Sequence, residues 1–90
     1  MAAYAIDVRP RARRSLRQLD PPVRTAIAQV IDGLAADPRP PGVMPLTGLR
    51  PYLRVRSGDY RVIYSVDDRA RVVTVAAVGH RREIYRSFNP

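Results

Sequence analysis

Apolar residues at the start of the chain first alternate and then take up a helical spacing. Tyr4, Ile6 and Val8 lie two residues apart, which predicts a strand with one buried face. Pro10 follows and is suited to the first turn of a helix, because that position needs no amide donor. The predicted helix has its apolar stripe at Ala12, Leu16 and Leu19, and its outward arginines at Arg11, Arg13, Arg14 and Arg17.

The clearest periodicity in the chain predicts a second helix. Asp20 is suited to cap its first turn and Pro21 to begin it. Pro38 ends the pattern, since proline cannot continue a helix. The apolar positions recur at intervals of three and four residues, at Val23, Ala26, Ile27, Val30, Ile31 and Leu34.

A proline-rich loop follows, and the apolar spacing then changes to two. This spacing predicts strands at residues 52–56, 60–66 and 71–78. Residues 84–88 fit either a short helix or an edge strand. An N-terminal strand, a helical hairpin and a three-stranded antiparallel β-meander predict a single α+β domain over residues 1–90. The helices are expected on one face of the small sheet, with the other face open.

The first predicted hairpin places arginines on one face. With the Gly-Asp pair that follows Ser57 as a two-residue loop, Ser57 pairs with Tyr60 and Arg56 lies opposite Arg61. Because side chains alternate along a strand, Arg54 shares their face. A three-residue loop would instead turn Arg61 toward the core. The other face is apolar and is the predicted core, with Leu53, Val55, Val62, Tyr64 and Val66.

The register of the next hairpin also follows from its turn. We expect a turn at residues 67–70, which pairs Val66 with Arg71. That register places Val73, Val75 and Ala77 on the core face, and Thr74, Ala76 and Val78 on the face of the arginines.

Composition and charge narrow the class of protein. Sixteen basic residues against eight acidic ones give a formal charge of +8, and every basic residue is an arginine. This excess indicates a polyanionic partner, because guanidinium groups bind phosphate and carboxylate in a fixed planar geometry. The chain has no cysteine and one histidine, so disulfide scaffolds, thiol nucleophiles and His-rich or Cys-rich metal sites are excluded, and no cofactor is expected. Its apolar runs are too short to cross a bilayer, and we expect a cytoplasmic protein without membrane contact.

The predicted arginine face is the first candidate site. Like charges directly opposite each other destabilise a hairpin, so Arg54, Arg56 and Arg61 carry an energetic cost unless an anion lies among them. The alternative is a solvated face whose charges serve solubility. A second candidate follows the third strand of the meander, where His80 and Arg81 emerge at the end of the sheet.

Two stretches of the sequence resemble a known family. Residues 52–64, YLRVRSGDYRVIY, are similar to the central hairpin of the RelE/ParE toxin superfamily of type II toxin–antitoxin systems. Residues 78–86, VGHRREIYR, are similar to its closing motif, and the helical pair and residues 46–49 also fit. The RelE-like branch is favoured. That resemblance implies a ribosome-dependent endoribonuclease that cuts mRNA in the 30S A site by attack of the RNA 2′-hydroxyl, without a metal.

The resemblance also implies roles for individual residues. The family's arginines match Arg61 and Arg81, which would stabilise the charge that builds on the phosphate. Its C-terminal tyrosine matches Tyr85, as base or base-stacking group, and His80 is a substitute proton carrier. This chain lacks the lysine that many members carry in the hairpin strand. The residues expected to bind RNA are Arg54, Arg56, Arg50 and Arg82.

The implied partners are an acidic antitoxin and mRNA on the ribosome. Two other functions stay open. A ParE-type toxin would inhibit DNA gyrase without cutting RNA, although such members usually lack the full arginine and tyrosine set. A non-catalytic basic RNA-binding module would need only the arginine face.

Overall fold

The computed structural model describes residues 3–89, and this range contains five strands and three helices. The strands are β1 (Ala5–Val8), β2 (Met44–Pro45), β3 (Leu53–Ser57), β4 (Tyr60–Asp67) and β5 (Val72–His80). The helices are α1 (Pro10–Arg17), α2 (Pro21–Gly33) and α3 (Ile84–Ser87). The α+β prediction is confirmed, and residues 84–87 form a helix instead of an edge strand. Sequence reasoning did not predict β2, which has only two residues.

The helices begin where the prolines predicted. Pro10 and Pro21 each lie in the first turn of a helix. Asp20 occupies the N-cap position of α2 with an extended backbone, but its side chain makes no capping hydrogen bond. Within residues 3–89 no helix combines the length and the apolar character needed to cross a bilayer.

One mixed sheet contains all five strands, in the order β1-β5-β4-β3-β2. β1 runs parallel to β5 and pairs Ala5 with Val72, whereas the other neighbours are antiparallel. The predicted meander is therefore the centre of a sheet that β1 and β2 extend on either side.

The predicted register of the β3–β4 hairpin is confirmed. Ser57 pairs with Tyr60 and Arg56 with Arg61. Gly58 has a φ of +58°, a left-handed conformation that glycine adopts without steric cost, and this allows the two-residue turn.

The predicted β4–β5 register is wrong. Val66 pairs with Val73 and not with Arg71, because β4 continues through Asp67 and the turn lies one residue later than expected. Asp67 stabilises this turn by accepting a hydrogen bond from the Ala70 amide at 2.9 Å.

A register shift between Ile63 and Tyr64 changes the faces further along β5. Ile63 pairs with Ala77 and Tyr64 with Val75, so Ala76 is the extra residue of a β-bulge. Ala77 consequently lies on the face of the arginines, and Val78 belongs to the core beneath the helices. Both of these residues were predicted on the opposite face.

The larger core lies between the sheet and the two longer helices. Tyr64 is fully buried there, and its hydroxyl donates to the Pro38 carbonyl at 2.7 Å. Burial raises the pKa of the Tyr64 phenol to about 12. The buried members of this core are Ala12, Ile27, Ile31, Leu34, Val55, Val62, Tyr64, Val73, Val75 and Val78.

The sequence predicted that the second face of the sheet would be open, but the structure shows that it is partly covered. A smaller apolar cluster, which we call the distal core, covers part of it and consists of Leu46, Ile63, Ala77 and Ile84. Tyr52 and Phe88 pack against the distal core, with their rings edge to face at 5.0 Å between centroids. This cluster fixes α3 on the sheet and so determines where the C-terminal motif lies.

An exposed ion-pair network connects the N-terminal strand, the proline-rich loop and the β4–β5 turn. Both Arg39 Nη atoms donate to the Asp68 carboxylate, at 3.1 and 2.9 Å, and the Tyr4 hydroxyl donates to Asp68 Oδ1 at 2.7 Å. The Arg71 guanidinium lies 5.6 Å from the centroid of the Tyr4 ring. Hydrogen bonds from Arg39 and then Tyr4 lower the pKa of Asp68 to about 2.

Candidate active site

The β3–β4 hairpin presents three arginines on the face away from α1 and α2. Arg56 lies directly opposite Arg61, and Arg54 lies opposite Ile63 of the distal core. Arg54 and Arg56 point to the same side at a spacing of about 7 Å along the strand. The two-residue turn therefore brings together the three arginines that were predicted to share a face.

Arg61 is the one buried member of this group, with a relative exposure of 9%. One of its terminal nitrogens donates to the carbonyls of Gly58 and Tyr60, at 3.2 and 3.1 Å. Its other nitrogens retain solvent contact, since residues 3–89 contain no fully buried side-chain nitrogen without a partner. No carboxylate in that range pairs with Arg61. A guanidinium with this burial and no counterion is suited to receive an anion.

Arg81 follows the last strand and lies beside the same turn. Its amide donates to the Asp59 carbonyl at 2.8 Å, so the end of β5 is joined to the β3–β4 turn. The Arg81 side chain is exposed. Arg61 and Arg81 are twenty residues apart in sequence and meet at one two-residue turn.

Tyr85 lies on the exposed side of α3, with 45% of its surface accessible. It lines a groove of about 400 Å³ together with Arg54 from the hairpin. The remaining lining residues are Met44, Pro45, Leu46, Thr47, Leu49 and Phe88. We call this the tyrosine groove. It places a phenol, a guanidinium and an apolar wall in one depression.

Sequence reasoning missed the apolar wall of the tyrosine groove. Met44 and Leu49 are 50% and 36% exposed, and with Tyr85 they are the large hydrophobic residues most accessible within residues 3–89. The terminal nitrogen of Arg54 lies 3.5 Å from the Met44 sulfur. The available signal was the presence of methionine and leucines among the prolines and glycines before β3, where no helix or strand pattern buries them.

His80 is not brought to the tyrosine groove. It pairs with Tyr60 across the sheet, and the two rings meet edge to face at 5.6 Å between centroids. Tyr60 packs against the core beneath the helices, so His80 faces that side. It lines a separate polar cleft of about 330 Å³ with Arg11 and Glu83. The sheet thus separates His80 from Tyr85.

The other two residues predicted to bind RNA lie in connecting segments. Arg50 is exposed in the loop before β3, and Arg82 is exposed in the turn between β5 and α3. Neither lines the tyrosine groove. They widen the basic surface around it without entering it.

Acidic side chains do not neutralise the basic residues of the site. Within residues 3–89 the ion pairs are Arg9 with Asp7 at 3.5 Å and Arg39 with Asp68 at 2.9 Å. Asp68 follows β4 at the end remote from Arg61. In the same part of the chain, no group of three or more His, Cys, Asp or Glu side chains is arranged to hold a metal ion. The groups that the site offers are guanidinium donors and a phenol.

The fold that carries this site is shared with known toxins of type II toxin–antitoxin systems. The family described as the ParE toxin of the type II toxin–antitoxin system parDE matches residues 6–85. The chain therefore belongs to this family, within the RelE/ParE superfamily. The resemblance noted from the sequence is confirmed.

Relatives and solved structures agree with this assignment. Toxin RelG of Mycobacterium tuberculosis is 32% identical over 84 residues, which is 92% of this chain and 97% of RelG. A chain of the RelBE2 toxin–antitoxin complex of Mycobacterium tuberculosis has 30% identity and a TM-score of 0.78, covering 88% of this chain and 99% of that one. The isolated RelE toxin of E. coli has 31% identity and a TM-score of 0.75, covering 93% of each chain.

Proposed function

We propose that this toxin is an endoribonuclease that cuts messenger RNA in the ribosomal A site. The observation that carries the proposal is the placement of Arg54 and Tyr85 in one groove, on the sheet face to which the hairpin also turns Arg56 and Arg61. Arg61 and Arg81 do not line the groove and lie at the β3–β4 turn. Guanidinium groups suit phosphate oxygens, and an exposed tyrosine beside an apolar wall suits an unstacked base. The likeness to the RelE toxin of E. coli supports the same reading.

The chemistry requires a proton acceptor, a proton donor and a group that stabilises the phosphorane, and it requires no metal. The RNA 2′-hydroxyl attacks the adjacent phosphorus, so the O2′–P bond forms and the P–O5′ bond breaks. The products are a 2′,3′-cyclic phosphate and a free 5′-hydroxyl. A base takes the proton of the 2′-oxygen, and water supplies the proton that the 5′-oxygen gains. Arg61 and Arg81 stabilise the charge on the phosphorane, a contribution typically worth ~10²–10³ in rate for one such donor.

Tyr85 accepts the proton of the 2′-hydroxyl or stacks on the base in the groove. His80 faces the helices, so the proposal gives it no part in proton transfer. The variant Tyr85→Phe separates the two roles of Tyr85, because phenylalanine keeps the stacking surface and lacks the hydroxyl. A fall in cleavage without a loss of RNA affinity identifies the Tyr85 oxygen, acting as phenolate, as the proton acceptor.

An acidic antitoxin is the proposed protein partner. The solved relatives include RelBE2, a toxin–antitoxin complex. The unpaired arginines of this chain offer complementary charge to carboxylates, and the apolar wall of the tyrosine groove offers a surface for an amphipathic segment.

Mapping of RNA ends tests the nuclease. The purified toxin is added to a translating extract. Primer extension on a defined messenger is then expected to show new 5′ ends within codons. Arg81→Ala is expected to reduce cleavage ~10²–10³-fold, by loss of one phosphate donor. Arg69→Ala, an exposed arginine in the β4–β5 turn, is the matched control and is expected to cleave like the wild type.

The matching family, described as ParE, supports a second candidate, inhibition of DNA gyrase. A supercoiling assay with the same preparation discriminates the two. Inhibited supercoiling with intact messenger would overturn the nuclease proposal. Retained growth arrest in both Arg81→Ala and Tyr85→Phe would remove the catalytic roles, and binding of RNA without cleavage or toxicity would leave a non-catalytic basic module.

A further inference from the structure

The helix that carries Tyr85 is too short to be stable alone. α3 has four residues, a single turn, and isolated helices of this length do not form in water. Its position therefore depends on tertiary contacts at both ends. At the first end, Ile84 is 3% exposed and belongs to the distal core. Ile84 contacts Gly79 so closely that a Cβ on that glycine would lie 2.9 Å from Ile84 Cδ1.

Arg11 of α1 makes the contacts at the other end. A terminal nitrogen of Arg11 donates to the Ser87 carbonyl at 2.5 Å, and its guanidinium lies 6.0 Å from the centroid of the Phe88 ring. The last carbonyls of a helix have no partner within the helix, so a cationic donor satisfies one of them. Arg11 and Ser87 are 76 residues apart in sequence, and this bond joins the first helix to the last.

We propose that Arg11 is a positioning residue for Tyr85. Tyr85 stands between two attachments of α3, which are Ile84 in the distal core and the Ser87–Phe88 pair held by Arg11. Without Arg11 the second end loses the hydrogen bond to the Ser87 carbonyl and keeps only the packing of Phe88 on Tyr52. The turn can then shift about Ile84, which moves the phenol relative to Arg54. The effect on catalysis rests on the proposed nuclease function, whereas the effect on α3 does not.

The neighbours of Arg11 on the same helix provide a matched control. Arg14 is exposed and makes no hydrogen bond or ion pair with other side chains of residues 3–89, whereas Arg13 bonds the Val8 carbonyl close to it in sequence. Arg11→Met keeps most of the side-chain length and removes the donors and the charge. Arg11→Lys keeps a cationic donor but loses the planar group over Phe88. Arg14→Met removes an equal charge from the same helix.

Amide exchange and cleavage are measured together on the purified full-length variants. In Arg11→Met, the amides of Ser87 and Phe88, which bond the Glu83 and Ile84 carbonyls, are expected to exchange at least ~10-fold faster, while β4 amides are unchanged. RNA cleavage is expected to fall ~10–100-fold, as for a misplaced catalytic group. Arg11→Lys should recover part of both losses, and Arg14→Met should match the wild type.

Several results would overturn the proposal. Unchanged exchange at residues 84–88 in Arg11→Met would show that Arg11 does not hold α3. Faster exchange there with normal cleavage would show that the contact does not position Tyr85, and faster exchange throughout the sheet would give Arg11 a general stabilising role. If the wild type cleaves no RNA, the proposed function fails, and the amide-exchange measurement still decides whether Arg11 fixes the Tyr85 helix.

Discussion

At the scale of single residues, burial decides how much an arginine of this toxin costs in free energy of folding. Arg54 and Arg56 on the hairpin keep solvent access, whereas Arg61 on the facing strand is buried against backbone carbonyls. A buried charge without a counterion costs free energy of folding, because the carbonyls replace only part of its hydration. Alternation of side chains predicted the face of Arg61 but not its burial, because periodicity does not reveal that its guanidinium folds back onto the Gly58 and Tyr60 carbonyls.

We predict that Arg61→Met separates stability from activity. Methionine fills a similar volume without a charge, so the free energy of unfolding in urea is expected to equal that of the wild type or exceed it by ~1 kcal/mol. Messenger cleavage is expected to fall ~10²–10³-fold, because a phosphate donor is lost. A loss of more than ~2 kcal/mol in stability would instead make Arg61 a structural residue of the turn.

Because Tyr64 is buried, we predict that the stability of the protein falls at alkaline pH. Its pKa is about 12 in the folded protein because burial disfavours the phenolate, against about 10 for an unfolded chain. Folding therefore gains from the neutral phenol below pH ~10, and that gain is lost as the pH rises from ~10 to ~12, by up to ~2.7 kcal/mol. Tyr64→Phe should lose ~1 kcal/mol at pH 7, with the bond to Pro38, but lack this slope in urea titrations. Parallel pH profiles for both proteins would contradict the assignment.

Strands and turns show how much of the fold the sequence determines. The β3–β4 register followed from a two-residue Gly-Asp turn and was correct. The β4–β5 register was wrong because β4 continues through Asp67 and the turn lies one residue later than predicted. The faces of Ala77 and Val78 were wrong because β5 is apolar over residues 72–78 apart from one threonine, so no contrast between its faces reveals the extra residue Ala76. The β1–β5 pairing is remote in sequence, and local periodicity holds no information about it. The same bulge reverses the faces beyond it, and together with the continuation of β5 to His80 it places that histidine beneath the helices.

At the scale of elements, the ion-pair network around Asp68 predicts sensitivity to acid. The pKa of Asp68 is about 2, below the unfolded value of about 4, so the carboxylate contributes stability above pH ~4 that is lost as the pH falls toward 2. Asp68→Asn is expected to be less stable than the wild type at pH 7 and to converge with it near pH 2. Asp32→Asn, on the exposed side of α2, is the control, and a similar profile for both variants would contradict the prediction.

Two glycines at the ends of elements are expected to respond in opposite ways to alanine. Gly79 has Ile84 Cδ1 at 2.9 Å from its ideal Cβ, so Gly79→Ala forces α3 outward and is expected to cost ~1–3 kcal/mol and to reduce cleavage. Gly33, in the last turn of α2, has nothing within 4 Å of its ideal Cβ, so Gly33→Ala is expected to stabilise by ~0.5–1 kcal/mol. Thermal unfolding of the two variants checks this, and equal shifts in the midpoint would refute the close Gly79–Ile84 fit.

At the scale of the whole molecule, one face of the sheet carries the main core and the other carries the candidate site. Helices α1 and α2 cover one face and supply most of the apolar burial. The other face carries the distal core, the tyrosine groove and the hairpin arginines. With sixteen arginines and, among residues 3–89, only Arg9 and Arg39 in ion pairs, most of the positive charge is free to meet a polyanion.

This charge distribution predicts a salt dependence for RNA binding. Each phosphate neutralised on a single strand releases counterions, and the slope of log K against log salt concentration is about −0.7 per contact. If three or four hairpin and groove arginines contact phosphates, the slope for a short single-stranded RNA is expected to be about −2 to −3. Arg56→Ala should make the slope shallower by about 0.7, whereas Arg69→Ala, in the remote β4–β5 turn, should leave it unchanged. An equal change for both variants would show that RNA meets the net charge of the molecule and not the hairpin face, whereas a change confined to Arg56 locates the phosphates beside the tyrosine groove.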